Sequence, residues 1–166
     1  LYIPNPHVES MACPEISLYG NSLLLYEHTP EGMVLKRIFL ADGCLLAEAV
    51  YEVTPSTQLQ IGNGCISLCD SGSGQVLILN DSLEQETCYS VPAEGENWCL
   101  DQDMEKLFVF FPEEGLQLRN LATGETQWIL ENAAFVKPLG TGNGYVLFSY
   151  TDREDQKTYN RCLNLA

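Results

Sequence analysis

The feature that most constrains this chain is a repeat of about forty residues. Polar turns recur along the sequence at Gly20, Gly62, Asp103 and Gly142, with spacings of 42, 41 and 39 residues. Three of these four turns contain a glycine–asparagine pair, which favours the positive φ angles that tight β-hairpins require. A repeat of this length predicts a fold that is built from several copies of one small unit.

The residues after each turn indicate that the repeated unit is made of β-strands. Two columns, four and six positions beyond the turn, are apolar in all four copies, which places one strand face consistently in a core. The column between them is mostly apolar too, and strands buried on both faces are typical of sheets that lie between neighbouring layers. The three columns are, in order of position, Leu24, Ile66, Leu107 and Val146; Leu25, Ser67, Phe108 and Leu147; and Tyr26, Leu68, Val109 and Phe148.

Each copy continues into a third strand, and three copies continue into a fourth. The third strands are predicted at about 33–40, 75–80, 116–121 and 158–165, and the fourth strands at about 45–52, 87–91 and 126–130. The fourth copy stops at Ala166 before such a strand. We therefore predict an all-β fold, a β-propeller of about four blades with four antiparallel strands each. The blades are expected at approximately 14–53, 58–92, 97–131 and 135–166 of a single domain that spans residues 1–166.

The start of the chain resembles the end of a fourth strand. Residues 1–4 (Leu-Tyr-Ile-Pro) are similar to residues 89–92 (Tyr-Ser-Val-Pro), and a loop follows both segments. One interpretation is that residues 1–4 pair with the last blade and close a four-bladed ring. The other is that the chain is a slice of a larger propeller, whose preceding blade ends in these residues. The chain begins at Leu1 and not at a methionine, which suggests a processed or excised fragment.

Two alternatives to this architecture stay open at the level of the sequence. The segment 44–51 contains good helix formers with apolar residues at helical spacing, so a helix competes there with the fourth strand of the first copy. An unrepeated β-sandwich would also be built from many short alternating strands.

The third copy carries a blade motif. Residues 116–125 (Leu-Gln-Leu-Arg-Asn-Leu-Ala-Thr-Gly-Glu) form an alternating strand that ends in a Leu-x-Thr-Gly-Glu turn. This segment resembles the WD-repeat and quinoprotein-type repeat families, although the Gly-His and Trp-Asp pairs of WD repeats do not occur in the chain. The resemblance implies a scaffold that commonly binds proteins or small ligands and only sometimes catalyses, and it assigns no functional residues.

The composition is strongly acidic. The chain has 23 acidic and 8 basic residues, and its formal net charge is −15 at pH 7. Such a surface repels phosphate backbones, so we do not expect direct nucleic-acid binding, whereas a cationic partner would be attracted. No segment approaches the run of ~18 apolar residues that a membrane helix needs, and no basic start followed by an apolar segment indicates a signal peptide.

Seven cysteines are many for 166 residues. Most lie within apolar strand patterns, where a free cysteine behaves as a small buried hydrophobe, so we predict free and buried thiols. The closest pair, Cys65 and Cys69, would lie on one strand face ~13 Å apart, which is too far for a disulfide. Free thiols favour a reducing or anaerobic setting. The seven positions are Cys13, Cys44, Cys65, Cys69, Cys88, Cys99 and Cys162.

Few residues suggest catalysis or metal binding. His7 and His28 have no histidine or cysteine partner nearby in sequence, so a zinc pattern is not indicated. The glycine-rich segment 140–145 precedes a strand and not a helix, which indicates a hairpin turn and not a phosphate loop. The alternating acids of 101–105 are too closely spaced for an EF-hand and predict a charged turn. We expect no catalytic residue, no bound metal and no cofactor.

These observations favour a non-catalytic interaction or ligand-binding module. Its partner is expected to be a protein or a small ligand, and our hypothesis is that this partner is cationic. In propeller topology, the loops between second and third strands and the loops that lead into the next blade share one face. The alternatives are a propeller enzyme of the glycosidase or lyase type, with acidic residues near the central channel, and a structural part of a multidomain surface protein. The acidic residues predicted on the loop face are Glu31, Asp70, Glu94, Glu96, Glu113, Glu114, Asp152, Glu154 and Asp155.

Overall fold

The computed structural model describes residues 14–92 and 95–165, and all of its regular structure is β. The chain divides into two compact units, Leu1–Val53 and Thr54–Ala166. The possible closing strand at residues 1–4, together with His7 and Cys13, lies outside the described residues. The extent of the domain and the closure of a ring therefore stay predictions.

The first unit contains one four-stranded antiparallel sheet, called sheet A here. Its strands are β1 (Glu15–Tyr19), β2 (Ser22–Thr29), β3 (Gly32–Phe39) and β4 (Leu45–Tyr51), and they pair in chain order. Segment 44–51 is thus a strand and the helical alternative is wrong, because β4 completes the sheet by pairing with β3. Position 32 requires a glycine, because its φ is +129° and a Cβ atom there would lie 2.1 Å from the carbonyl oxygen of Tyr51.

The second unit contains three sheets, each with its strands in chain order. Sheet B has β5 (Thr57–Ile61), β6 (Ile66–Asp70), β7 (Gln75–Leu79) and β8 (Gln85–Ser90). Sheet C has β9 (Glu96–Leu100), β10 (Lys106–Phe111), β11 (Gly115–Asn120) and β12 (Thr126–Glu131). Sheet D has three strands among the described residues, β13 (Ala133–Gly142), β14 (Tyr145–Asp152) and β15 (Thr158–Asn164).

The predicted fold class is confirmed. Four successive antiparallel sheets, in each of which the chain runs up and down between neighbouring strands, are the blades of a β-propeller of about four blades. The observed third and fourth strands begin and end within about two residues of the predicted ones. A β-sandwich is excluded as a description of the second unit, because its three sheets stack in sequence and do not form a single facing pair.

Two apolar cores hold the second unit together. One core lies between sheets B and C and includes Trp98 and Leu107. The other lies between sheets C and D and includes Phe108 and Leu116 of sheet C and Phe148 of sheet D. Each fully buried side chain of this size contributes about 1.5–3 kcal/mol by leaving water. Sheet C is therefore stabilised from both of its faces.

The apolar columns of the repeat account for these cores. All four members of the first column are buried, and in sheets C and D the first and third columns face the preceding sheet. Phe108 of the middle column faces the following sheet. In sheet C the period of two along the strand therefore assigns alternate residues to alternate cores, as the sequence predicts, whereas Leu147 at the same column of sheet D is exposed.

The turns between first and second strands contact one another in the second unit. Gln102, in the turn between β9 and β10, accepts a hydrogen bond from the Asn63 backbone N–H at its carbonyl oxygen (2.9 Å) and from the Asn143 backbone N–H at its side-chain oxygen (2.8 Å). The Asp101 carboxylate accepts hydrogen bonds from the backbone N–H groups of Glu105 and Lys106 at 2.8 and 2.9 Å. The acidic segment 101–105 is thus a charged turn, as predicted, and it links three consecutive repeats.

The six described cysteines are free, as predicted, but the expectation that most of them are buried is wrong. Cys69 and Cys99 are buried and Cys65 is half-buried, whereas Cys44, Cys88 and Cys162 are exposed. For Cys88 and Cys162 the reason is positional, because they lie on the outermost described strands of their sheets. The apolar sequence pattern continues there, but no further strand among the described residues covers it.

Candidate interaction surface

Two neighbouring hairpins bring together five of the predicted acidic residues. Glu113 and Glu114 form the turn between β10 and β11, and both are exposed. Asp152, at the end of β14, is half-buried, and Glu154 and Asp155 in the following turn are exposed. We call this set, Glu113, Glu114, Asp152, Glu154 and Asp155, the acidic hairpin surface.

Arg153 links the two hairpins, which belong to sheets joined by their shared apolar core. Its Nη1 atom lies 3.4 Å from the Glu113 carboxylate, across the gap between the hairpins. Its Nε atom donates to the carbonyl oxygen of Ala133 at 3.1 Å, and its backbone N–H donates to that of Asn132 at 3.0 Å. The guanidinium group is therefore held by sheet D and presents its charge to the turn of sheet C.

The turn between β14 and β15 is ordered by its own carboxylates. Asp152 Oδ1 accepts hydrogen bonds from the backbone N–H groups of Glu154 (2.8 Å) and Asp155 (3.3 Å). The Tyr159 hydroxyl donates to Asp155 at 2.5 Å, and this bond lowers the pKa of Asp155 and raises the pKa of Tyr159. Asp155 also lies 3.6 Å from Lys157 Nζ, so it is already partnered. The other exposed acids of the surface carry most of its available charge.

Asp70 has a different environment from the rest of the predicted set. It is only 2% exposed, and its carboxylate accepts hydrogen bonds from the Thr54 backbone N–H at 2.9 Å and from the Ser73 hydroxyl at 2.8 Å. The backbone N–H of Gly72 and the Thr54 hydroxyl also donate to it. Burial acts to raise the pKa of Asp70, but the hydrogen bonds from Thr54 and Ser73 outweigh burial and lower the pKa to about 2. Asp70 therefore holds the hairpin between β6 and β7 in place.

The remaining predicted acids lie elsewhere in the chain, although Glu96 pairs with Phe110, close to the turn that contains Glu113. Glu31 is exposed in the hairpin between β2 and β3 of the first unit. Glu96 is exposed at the start of β9, and Glu94 lies outside the described residues. The structure thus groups five of the nine predicted residues in one place, and buries one of them.

A groove that the sequence did not predict lies along the outer strands of sheet C. Its volume is about 560 Å³, and it is bordered by a second cavity of about 210 Å³, with Lys106 in the lining of both. Lys106 Nζ donates to the carbonyl oxygen of Leu165 at 2.9 Å, which places the groove beside the end of β15. No sequence motif marks it, because its lining residues come from three strands and the turn between two of them: Lys106, Leu118, Asn120, Glu125, Thr126 and Gln127.

The described residues contain little that suggests metal or phosphate chemistry. Within 14–92 and 95–165, no group of three or more histidine, cysteine or acidic side chains is placed to hold a metal ion. Asn143 and Gly144, at φ +50° and +75°, form the turn between β13 and β14, so the segment 140–145 contains a hairpin turn, as predicted. In the same part of the chain, no helix has the length and apolar character that crossing a membrane requires.

Comparison with known proteins supports the fold and leaves the family open. No protein-family model and no curated protein sequence matches the chain. The computationally designed Ika4 protein is similar in structure, with a TM-score of 0.58 and 11% identity over 96% of this chain and 95% of that chain. Hsv2p of Kluyveromyces lactis has a TM-score of 0.56 and 8% identity over 93% of this chain and 50% of its own.

A third similar structure is the hydrazine synthase of Kuenenia stuttgartiensis, with a TM-score of 0.52 and 12% identity over 98% of this chain and 53% of that chain. This chain therefore spans nearly the whole of the designed protein but about half of the two natural ones. At such low identities the likeness shows the fold alone.

Proposed function

We propose that this chain is a non-catalytic interaction module that binds a cationic protein segment at the acidic hairpin surface. The observation that carries the proposal is the contact between Arg153 and Glu113, at which an exposed acidic turn of sheet C lies beside an exposed acidic turn of sheet D. Arg153 carries one positive charge beside the five acidic residues of the surface, so it neutralises only part of the surrounding charge.

Electrostatics supports a basic partner in particular. A net charge of −15 attracts cations at long range, and acids held on two hairpins concentrate that attraction at one place. The exposed carboxylates of Glu113, Glu114 and Glu154 are separated along the chain but gathered by the fold, as a multivalent contact with lysine or arginine side chains requires. The enzyme and structural hypotheses stay predictions.

The test uses a fluorescent peptide of alternating lysine and serine as the probe. Its binding to the 166-residue chain is measured by anisotropy at 50 and 200 mM salt. We expect the variant E113Q/E114Q/E154Q to bind the peptide at least about tenfold more weakly. We also expect its binding to depend less on salt, because exposed charges attract a partner at long range and salt screens that attraction.

The matched control is E52Q/E84Q/E86Q, which removes the same number of exposed charges elsewhere on the chain. We expect it to change binding by less than about twofold. Equal losses in the two variants would show that the peptide responds only to net charge, and the proposed surface would be wrong.

A further inference from the structure

Two turns of the second unit contain the same tripeptide, Gly-Asn-Gly, at residues 62–64 and 142–144. An asparagine that precedes a glycine is chemically labile, because the glycine has no Cβ atom to hinder attack of its backbone nitrogen on the asparagine side chain. In both turns the asparagine and the glycine that follows it are exposed. Local sequence and contact with water therefore do not distinguish the two sites, so a difference in reactivity must come from the contacts that the fold gives them.

Asn63 is held by the turn between β9 and β10. Its side-chain nitrogen Nδ2 donates to Asp103 Oδ1 at 2.9 Å, and its backbone N–H donates to the carbonyl oxygen of Gln102, also at 2.9 Å. The two turns pack closely, since a Cβ atom at Gly62 would lie 2.4 Å from that same carbonyl oxygen. The Asn63 side chain must therefore give up a hydrogen bond to a carboxylate before it can rotate toward the nitrogen of Gly64.

Asn143 has fewer restraints. Its backbone N–H donates to the side-chain oxygen of Gln102 at 2.8 Å, but within residues 14–92 and 95–165 its own side-chain amide forms no hydrogen bond. The packing is also looser, because a Cβ atom at Gly142 would meet nothing nearer than Gln102 Oε1, at 3.8 Å, outside the adjacent residues. The Asn143 side chain is therefore free to rotate toward the nitrogen of Gly144.

The attacking nitrogen is available in both turns. In the part of the chain that the structure describes, the backbone N–H groups of Gly64 and Gly144 donate no hydrogen bond. Attack by either nitrogen therefore breaks no existing bond to its proton. The two sites differ only in how firmly the asparagine is held.

We propose that Asn143 is a site of spontaneous deamidation and that Asn63 is its protected counterpart. The nitrogen of Gly144 attacks the side-chain carbonyl carbon Cγ of Asn143, and a C–N bond forms as ammonia leaves with the proton of the Gly144 N–H. Water then opens the resulting succinimide ring, at one carbonyl to give aspartate and at the other to give isoaspartate. Water is the only co-reactant, and nothing is oxidised or reduced.

Isoaspartate at position 143 would change the backbone as well as the charge. It routes the main chain through the former side chain and so adds a methylene group between residue 143 and Gly144. The carbonyl oxygen of Gly144 accepts the N–H of Leu165 at 2.8 Å, and we expect this contact to loosen. The acidic hairpin surface lies at the opposite end of β14, so this inference does not depend on it.

The test is peptide mapping by mass spectrometry of the full chain, kept at pH 8 and 37 °C and sampled over several weeks. Deamidation changes the peptide mass, and chromatography separates aspartate from isoaspartate. We expect Asn143 to deamidate at least about tenfold faster than Asn63 in the folded chain, because a hydrogen bond to a carboxylate restrains only Asn63. In guanidinium chloride the two sites should react within about twofold of each other, because the contacts of the fold are lost.

Two variants test the cause of the protection. Asp103→Ala removes the partner of the Asn63 side chain, and we expect it to accelerate deamidation of Asn63 at least about threefold and to change that of Asn143 by less than about twofold. The matched control is Asp42→Ala, which removes an exposed carboxylate from the turn between β3 and β4. It should change neither rate by more than about twofold.

Three results would overturn the proposal. One is deamidation of Asn63 and Asn143 at equal rates in the folded chain, which would mean that the fold does not distinguish the two turns. The second is the absence of deamidation at Asn143 in the folded chain while the denatured chain reacts, which would mean that the hairpin itself protects this residue. The third is an unchanged rate at Asn63 in Asp103→Ala, which would exclude the hydrogen bond as the cause.

Discussion

Sheets C and D carry the same repeat, but their middle columns have different surroundings. Phe108 of sheet C is 2% exposed and packs between its own sheet and sheet D, whereas Leu147, at the equivalent position of sheet D, is 40% exposed. Both strands have apolar residues on two faces, but of these two residues only Phe108 belongs to a core of the second unit. The comparison shows that the apolar pattern of a repeat indicates which strand faces can be buried. Packing against another sheet then determines which of those faces are buried.

The largest expected effect concerns the middle column. Phe108→Ala should lower the free energy of unfolding by about 3–5 kcal/mol, because it opens a cavity between two sheets. Leu147→Ala should lower it by less than about 1 kcal/mol, because its side chain already contacts water. Urea denaturation of both variants measures the difference. Equal losses would show that the outer face of sheet D is covered in solution.

The second effect concerns the thiols of the same two sheets. Burial raises the pKa of Cys99 in sheet C to about 11, so at pH 8 only about one thiol in a thousand is ionised. Cys162 of sheet D is exposed. We expect a disulfide reagent to modify Cys162 at least about a hundredfold faster than Cys99 in the native chain, with Cys162→Ser and Cys99→Ser identifying the two sites. Similar rates would contradict the burial difference.

The smallest effect extends the comparison to the hairpins between second and third strands. The pKa of Asp70 is lower in the folded chain, about 2, than its ordinary value of 3.8, so its ionised form stabilises the fold above pH 4. That contribution, about 2 kcal/mol, is lost as the pH falls from about 4 to 2. Asp70→Asn should flatten the acid limb of the stability curve, whereas Asp152→Asn in the exposed hairpin of sheet D should alter it less. Urea denaturation between pH 2 and 7 measures both, and an unchanged acid limb in Asp70→Asn would exclude this role.

The candidate site could be predicted only in part. Acidity at the turns of residues 113–114 and 152–155 is visible in the sequence, but the Arg153 contact that joins those turns spans forty residues and depends on the stacking of two sheets. Asp70 looks like the other acids in the sequence, and it differs because Thr54, sixteen residues earlier, closes over it. The groove beside Lys106 has no sequence signal, since three separate strands form it.

The sequence by itself determined the strands, their order and the blade architecture, because a period of two and recurring turns act over a few residues. Outside the first column of the repeat, tertiary structure decided which apolar positions are buried: Cys99 and Cys162 have similar local patterns, yet one lies between sheets and the other on an edge. The physical reason is that burial depends on a neighbouring sheet, and a strand's own residues do not specify whether that neighbour is present.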